Sequence, residues 1–238
     1  MENWTQRTEM IIGGEGLEKL SRSSVLVVGL GGVGAVAAEM ICRAGVGKMT
    51  IIDRDDVSPT NINRQLVALN STIGKQKAEV LAERLKDINP DLDLTVINDW
   101  LDEKNTEQIL TENHFDFVVD AIDTISPKIF LIQNCIQKGI RIVSSMGSGG
   151  KLDPSQIQIT DISKTEYCAL AKTVRQRLSK LGIKKGLPVV FSTEVVDKSR
   201  VILVDDEKYK RSTTGTISYI PAMFGCFLAS YVIRELIK

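Results

Sequence analysis

The sequence predicts an α/β fold: a mostly parallel sheet with helices on both faces, extended by extra strands and a basic helix in the C-terminal third. Three observations lead there. Ser24 to Val28 is a run of apolar, mostly β-branched residues that turns at Gly29-Leu30-Gly31-Gly32-Val33-Gly34 into the helix-forming stretch Ala35 to Met40. Short β-branched runs then alternate with segments of helical period as far as residue 150, the order of a parallel sheet with crossover helices. Finally, acids close the second and fourth of those runs, at Asp53 and at Asp120 and Asp123, on the edge where ligands of doubly wound sheets bind. With 238 residues, 43% of them hydrophobic, the chain can bury one large core. It reads as a single domain: an arm and short helix over 1–23, a nucleotide-binding core over 24–150, and a substrate-side extension with a C-terminal helix over 151–238.

Composition excludes more than it selects. Thirty basic residues balance thirty acidic ones, so no global field draws the protein to nucleic acid or membrane, and such contacts need a local patch. Cys42, Cys135, Cys168 and Cys226 form no CxxC pair, and the single His114 completes no zinc site with them. Residues 1–7 lack the apolar core of a secretory signal, which implies reduced cysteines and a cytoplasmic setting.

Taken in order, residues 7–20 are an arm and a short amphipathic helix. Arg7 is a surface charge on its face, though an outward arm is also how a neighbouring subunit lends an arginine to phosphates. In the glycine loop, Gly29 makes the turn, Gly31 and Gly32 let amides approach a phosphate, and Gly34 lets helix meet strand. A second strand ends in Asp53, placed to hold a ribose hydroxyl pair. The polar loop that follows, with Asp55, Asn61, Asn63, Arg64 and Gln65, has no role in hydride transfer but suits the grip on a triphosphate, so ATP is favoured over a dinucleotide. Gly74 to Ile88 reads as a helix stopped by Asn89-Pro90. Lys75 and Lys77 fall in its first turn, where cations oppose the helix dipole unless an anion lies near; the alternative is two solvated lysines.

Leu94 to Asn98 is a third strand and Phe115 to Asp123 a fourth. Magnesium prefers one or two carboxylates and phosphate oxygens, which suits Asp123, while Asp120 is read as a cap for the next helix, whose buried stripe is Ile129, Ile132 and Ile136. Arg141 to Met146 is a fifth strand, and Gly147 to Gly150 a second loop able to lie on a ligand. Beyond 151 the alternation breaks. Gln156 to Ile162 is a half-exposed strand, then Lys172, Arg175, Arg177, Lys180, Lys184 and Lys185 crowd a helix packed by Leu170, Val174, Leu178 and Leu181. That run is either a solvated face or a phosphate-tracking patch for RNA. Val189 to Glu194 and Arg200 to Val204 are late strands. Ile217 to Ile233 is apolar, but Pro221 and Gly225 favour a buried helix starting at Pro221 over a membrane span.

These residues together resemble the ubiquitin-activating-enzyme superfamily in its bacterial branch, with the ThiF, MoeB and HesA proteins, whose nucleotide core is Rossmann-like. The likeness rests on Gly29 to Gly34, Asp53 with Asp55, Asn61 to Gln65, Gly74 to Lys77, and Asp120-Ala121-Ile122-Asp123. From Gly147 to Pro154, Asp161 to Thr165 and Phe191 to Glu194 the chain is similar to the tRNA threonylcarbamoyladenosine dehydratases within that superfamily. The resemblance implies activation of a threonylcarbamoyl carboxylate on tRNA by ATP and Mg2+, followed by ring closure. It implies that Asp53 holds the ribose, Asn61, Arg64 and Lys77 the phosphates, and Asp123 magnesium, that Ala121 and Ile122 line the nucleotide, and that Arg7 acts across a homodimer. Arg7, Arg64, Lys77 and Asp123 are thereby the expected catalytic set, tRNA the partner, and a sulfur-relay or accessory protein a further candidate. The alternative in the same superfamily adenylates the C-terminal glycine of a ubiquitin-like sulfur carrier; the missing CxxC pairs count against it. Relatives carry a cysteine just before Phe-Ser-Thr-Glu, where this chain has Val190, and Cys42 and Cys135 read as buried helix residues without a thioester role.

Overall fold

The computed structural model describes residues 4–197, 199, 201–203 and 212–238. Its strands are β1 (Ser24–Val28), β2 (Lys48–Ile52), β3 (Asp93–Ile97), β4 (Phe117–Asp120), β5 (Ile142–Ser145), β6 (Ile157–Asp161), β7 (Pro188–Ser192), β8 (Val201–Leu203) and β9 (Ser212–Thr214). The helices are α1 (Gln6–Arg22), α2 (Gly34–Arg43), α3 (Lys77–Ile88), α4 (Glu103–Glu112), α5 (Ile125–Gln137), α6 (Ala169–Lys180) and α7 (Tyr219–Leu236). Seven strands make one sheet in the order β3-β2-β1-β4-β5-β7-β6, parallel except for β6 against β7, and β8 with β9 forms a separate antiparallel pair.

The central strands feed two cores because successive side chains face opposite ways. Val25 and Val27 of β1 join one core with Leu20 of α1, Ala38 of α2, Leu81 of α3 and Leu228 of α7. Leu26 and Val28 join the other, with Leu110 of α4, Ile132 of α5 and Val174 of α6. All five residues of β1 are buried, as a parallel strand covered on both faces must be. The chain runs outward from β1 to β2 and β3 on one side, and from β4 to β5 on the other, so the crevice opens between β1 and β4. Val28 pairs there with Asp120.

The apolar tail is α7, laid across α2. A Cβ on Gly225 would lie 2.5 Å from Val33 O and 2.9 Å from Val36 Cβ, so glycine sets the approach of these helices. No described helix is long and apolar enough to cross a membrane.

Several boundaries differ from the sequence expectations. The N-terminal arm is itself helical: α1 begins at Gln6, breaks at Gly13 (φ 75°) and resumes, and Lys19 Nζ donates to the carbonyls of Ile237 and Lys238. Helix α3 starts at Lys77, not Gly74. Lys75 lies ahead of it, where its carbonyl accepts from Val57 N at 2.8 Å, and Gln76 bridges to Asp56. Strand β4 stops at Asp120, leaving Asp123 on an exposed turn. Helix α6 ends at Lys180, so Lys184 and Lys185 follow it, and Leu181 is exposed while Ala171 takes its place in the packed face. Helix α7 begins two residues before Pro221. Of the expected strand over 200–204, Val201–Leu203 is β8, while Arg200 and Val204 lie outside the described residues.

Candidate functional site

The glycine loop bridges β1 and α2 over the crevice. Gly29 adopts φ +85°, and a Cβ there would sit 2.8 Å from Ala121 O. At Gly34 a Cβ would lie 1.8 Å from Gly29 O and 3.0 Å from Ala121 Cβ. Both glycines therefore allow the loop to fold on itself and on the turn after β4. The space beside Gly32 is taken by Pro221 Cβ at 2.9 Å and Arg64 O at 3.0 Å, so packing by itself requires glycine there. Gly31 is different: only Gln65 Nε2, at 3.7 Å, comes within 4 Å of its Cβ position. It is the open point of the loop.

Asp53, just after β2, is tied to that loop. Its Oδ2 accepts from Leu30 N at 2.6 Å and its Oδ1 from Asp55 N at 2.8 Å. A carboxylate accepts about four hydrogen bonds, so each oxygen keeps capacity for a hydroxyl. Burial pushes its carboxyl upward, against the pull of Lys77 and the two amides. Lys77 is the first residue of α3, with its side chain buried, and its Nζ donates to Asp55 Oδ2 at 3.0 Å. The anion that offsets the helix dipole at this end is thus Asp55.

The loop 57–66 folds on its own polar groups. Asn61 is buried and its Oδ1 accepts from Ser58 N at 3.1 Å. Asn63 Nδ2 donates to Thr216 O, and Arg64 NH1 donates to Thr60 O and Asn63 Oδ1, both at 2.8 Å. Gln65 Oε1 is buried with no hydrogen-bond partner among the described residues. A buried acceptor left open is uncommon and marks a place where a ligand or water completes the set; this one belongs to the side chain beside Gly31. A hollow of about 250 Å³, lined by Gly150, Lys151, Leu152, Gly215, Thr216 and Ile217, adjoins Asn63 through its bond to Thr216.

Across the crevice, Ala121 N donates to Val28 O, which seats the turn Ala121-Ile122-Asp123 on β1. Asp123 stands at its exposed end. Asp120 does not cap the helix that follows: Thr124 holds that position without a side-chain bond. Asp120 is fully buried, its Oδ2 accepting from Lys128 Nζ at 2.6 Å and Ser144 Oγ at 2.5 Å, and its Oδ1 from Ile122 N at 3.0 Å. Lys128 was not singled out by the sequence reading. Its signal was there: it is the one charged residue within α5.

The second glycine loop is not open either. Gly149 and Gly150 pack on Thr214, Gly150 also meets Val196, and Gly150 N donates to Gly215 O. Buried Lys151 joins this region by donating to the carbonyls of Ser192 and Glu194, while the Glu194 carboxylate accepts from Leu152 N and Asp153 N. The acids and glycines at the β1, β2 and β4 tips are thus brought together, with the Asn61–Gln65 loop over them. Arg7 is not: it lies exposed on α1. The basic residues Lys172, Arg177 and Lys180 are exposed on α6, but Arg175 turns inward, its NH1 donating to Thr165 O at 2.9 Å. Cys42 and Cys135 are fully buried, and burial raises their thiols to about 11 and about 12, far from the reactive range.

No group of three or more His, Cys, Asp or Glu side chains that could hold a metal is present among the described residues. A magnesium ion that arrives with phosphate oxygens needs only one or two carboxylates, and Asp123, exposed at the end of the turn after β4, is a carboxylate of that kind.

The ThiF family model matches residues 5–238. The tRNA threonylcarbamoyladenosine dehydratase of Bacillus subtilis (strain 168) is 41% identical over 98% of this chain and 94% of its own length. That of Escherichia coli (strain K12) is 42% identical over 81% of this chain and 75% of its own. The crystal structure of the E. coli dehydratase TcdA in complex with ATP superposes with a TM-score of 0.88 at 37% identity, covering 99% of this chain and 96% of that one. By the match of the family model to nearly its whole length, the chain belongs to the ThiF family.

Proposed function

We propose that this protein is an ATP-dependent tRNA threonylcarbamoyladenosine dehydratase. The observation that carries the reading is the set Gly31, Gln65 and Asp53 at one switch point, in a chain similar over nearly its full length to dehydratases of that name. A carboxylate is a poor electrophile until its oxygen is esterified to a good leaving group. In this reading the threonylcarbamoyl carboxylate attacks the α-phosphorus of ATP and pyrophosphate leaves. Ring closure by the carbamoyl group then expels AMP, which carries away the oxygen that makes the net change a dehydration.

Asp53 takes the ribose hydroxyls, the Gly31 end of the loop and the start of α2 face the phosphates, and Asn61, Arg64 and Lys77 supply donors and positive charge. Asn63, Gln65, Ala121 and Ile122 complete the lining. Magnesium, held by Asp123 and the phosphates, would neutralise part of the charge on the departing pyrophosphate. Lys77 retains two protons beyond the one given to Asp55, so it can reach a phosphate oxygen without abandoning its partner. Arg7 acts from a second copy of the chain. In support, α1 exposes Met10 (79%) and Ile11 (86%) close to Arg7, with Trp4 half exposed beside them, an apolar surface of the kind that marks an interface. The exposed bases of α6, with Lys184 and Lys185, follow the tRNA backbone.

The test is to incubate the purified protein with ATP, magnesium and tRNA bearing threonylcarbamoyladenosine, then digest the tRNA and weigh the nucleosides. The expected product has lost the mass of one water, with AMP and pyrophosphate released only when tRNA is present. Pyrophosphate release that needs a small protein ending in glycine, and not tRNA, would move the assignment to sulfur-carrier activation.

A further inference from the structure

We propose that Lys128 is a positioning residue for the nucleotide crevice, acting through Asp120 on the turn Ala121-Ile122-Asp123. The inference rests on the ATP-adenylating reading of the site. Lys128 is 0% exposed, and its three ammonium protons are all used: Asp120 Oδ2 at 2.6 Å, Ser144 Oγ at 3.1 Å and Ser145 O at 3.0 Å. One side chain from α5 therefore ties the last residue of β4 to the last two of β5. Asp120 passes the constraint on, because its other oxygen accepts from Ile122 N. That amide lies in the turn whose Ala121 carbonyl stands 2.8 Å from where a Gly29 Cβ would be. Glycine loop, turn and Asp123 are thus set by one buried network.

The fold has no evident need of it. Burying two charges is costly, and replacing a buried ion pair by neutral residues of similar shape is often neutral or stabilising. β4 and β5 are already held by their own ladder. What the ion pair adds is stiffness at the turn, where a shift of about 1 Å in a reacting group costs turnover roughly 10²-fold.

Removing Lys128 alone would strand the Asp120 charge and unfold part of the chain, so the informative variant is Lys128→Met with Asp120→Asn. The Asn amide still accepts from Ile122 N and can donate to Ser144 Oγ. Thermal melting, steady-state kinetics and amide hydrogen exchange are measured together. Expected are a midpoint near that of the wild type and a kcat about 10²-fold lower, with the KM for tRNA unchanged. Exchange should accelerate at Ala121 to Asp123 while Val118 and Val119 stay protected. Full turnover in the double variant would overturn the proposal, as would a loss that merely tracks the unfolded fraction and recovers on cooling. If wild type itself fails to cyclise tRNA, the dehydratase reading is at fault, and the exchange pattern alone decides whether Lys128 stiffens the turn.

Discussion

Replacing Gly34 and Gly31 separately by alanine should split two roles that the glycine loop combines. At Gly34 the new methyl would lie 1.8 Å from Gly29 O, whereas carbon and oxygen rest in contact beyond about 3 Å. The first turn of α2 must therefore back away by roughly 1 Å. Alanine gains up to about 1 kcal/mol in helix propensity, and overpacking against backbone costs about 1–3 kcal/mol or more. A net loss of roughly 2 kcal/mol follows, which for a chain of this size lowers Tm by about 4–8 °C. Because the α2 N-terminus moves, turnover should fall about 10²-fold as well. At Gly31 the methyl meets only Gln65 Nε2 at 3.7 Å. That variant should melt within about 0.5 kcal/mol of wild type, yet bind ATP at least about tenfold more weakly by calorimetry if the methyl stands in the proposed path of the phosphates. Normal ATP binding by Gly31→Ala, or normal stability of Gly34→Ala, would refute this assignment of roles.

Glu39→Gln tests the buried carboxylate of α2, which accepts from Arg43 Nε at 2.8 Å and Arg84 Nε at 2.5 Å. Burial raises its carboxyl, but the hydrogen bonds from Arg84 and Arg43 outweigh it and hold it below the ordinary range. A depressed folded-state value contributes stability above the unfolded-state pKa and loses it as pH falls through the folded one. The variant should thus be about 1–3 kcal/mol less stable at pH 7, with the gap to wild type closing in acid melts. Changing Lys172, Arg177 and Lys180 together to glutamine should weaken tRNA binding and flatten its log–log salt slope by just under one unit per true phosphate contact. Arg175 is spared because it braces Thr165, and Tm should hold because exposed charges contribute little to folding; an unchanged slope would return α6 to a solvated face. Mixing Arg7→Ala chains with Arg64→Ala chains should restore part of the activity each lacks, and no recovery in a verified mixed dimer would place Arg7 within its own chain's site or outside any.

The sequence by itself carried whatever depends on neighbours along the chain. The strand, glycine turn and helix at 24–43, the acid closing β2 and the buried Ile129 and Ile132 of α5 (Ile136 is only half-buried) are all short-range patterns of side-chain period and backbone freedom, and they suffice to point to a nucleotide at the switch point. What it could not carry were pairings between residues far apart. Lys77 looked like a cation lacking an anion until Asp55, 22 residues earlier, was seen against it. Gly32, Gly149 and Gly150 looked like ligand-facing glycines, but Pro221, Thr214 and Val196 fill the space beside them. Asp120 looked like a helix cap because capping is a local habit of aspartate; parallel pairing of β4 with β5 instead put Ser144 and Lys128 against it. In an apolar helix a lone lysine stands out along the sequence, but only the sheet decides that its charge is buried. Burial is a property of the packed whole, so the charges that act from inside the protein are those the linear sequence conceals.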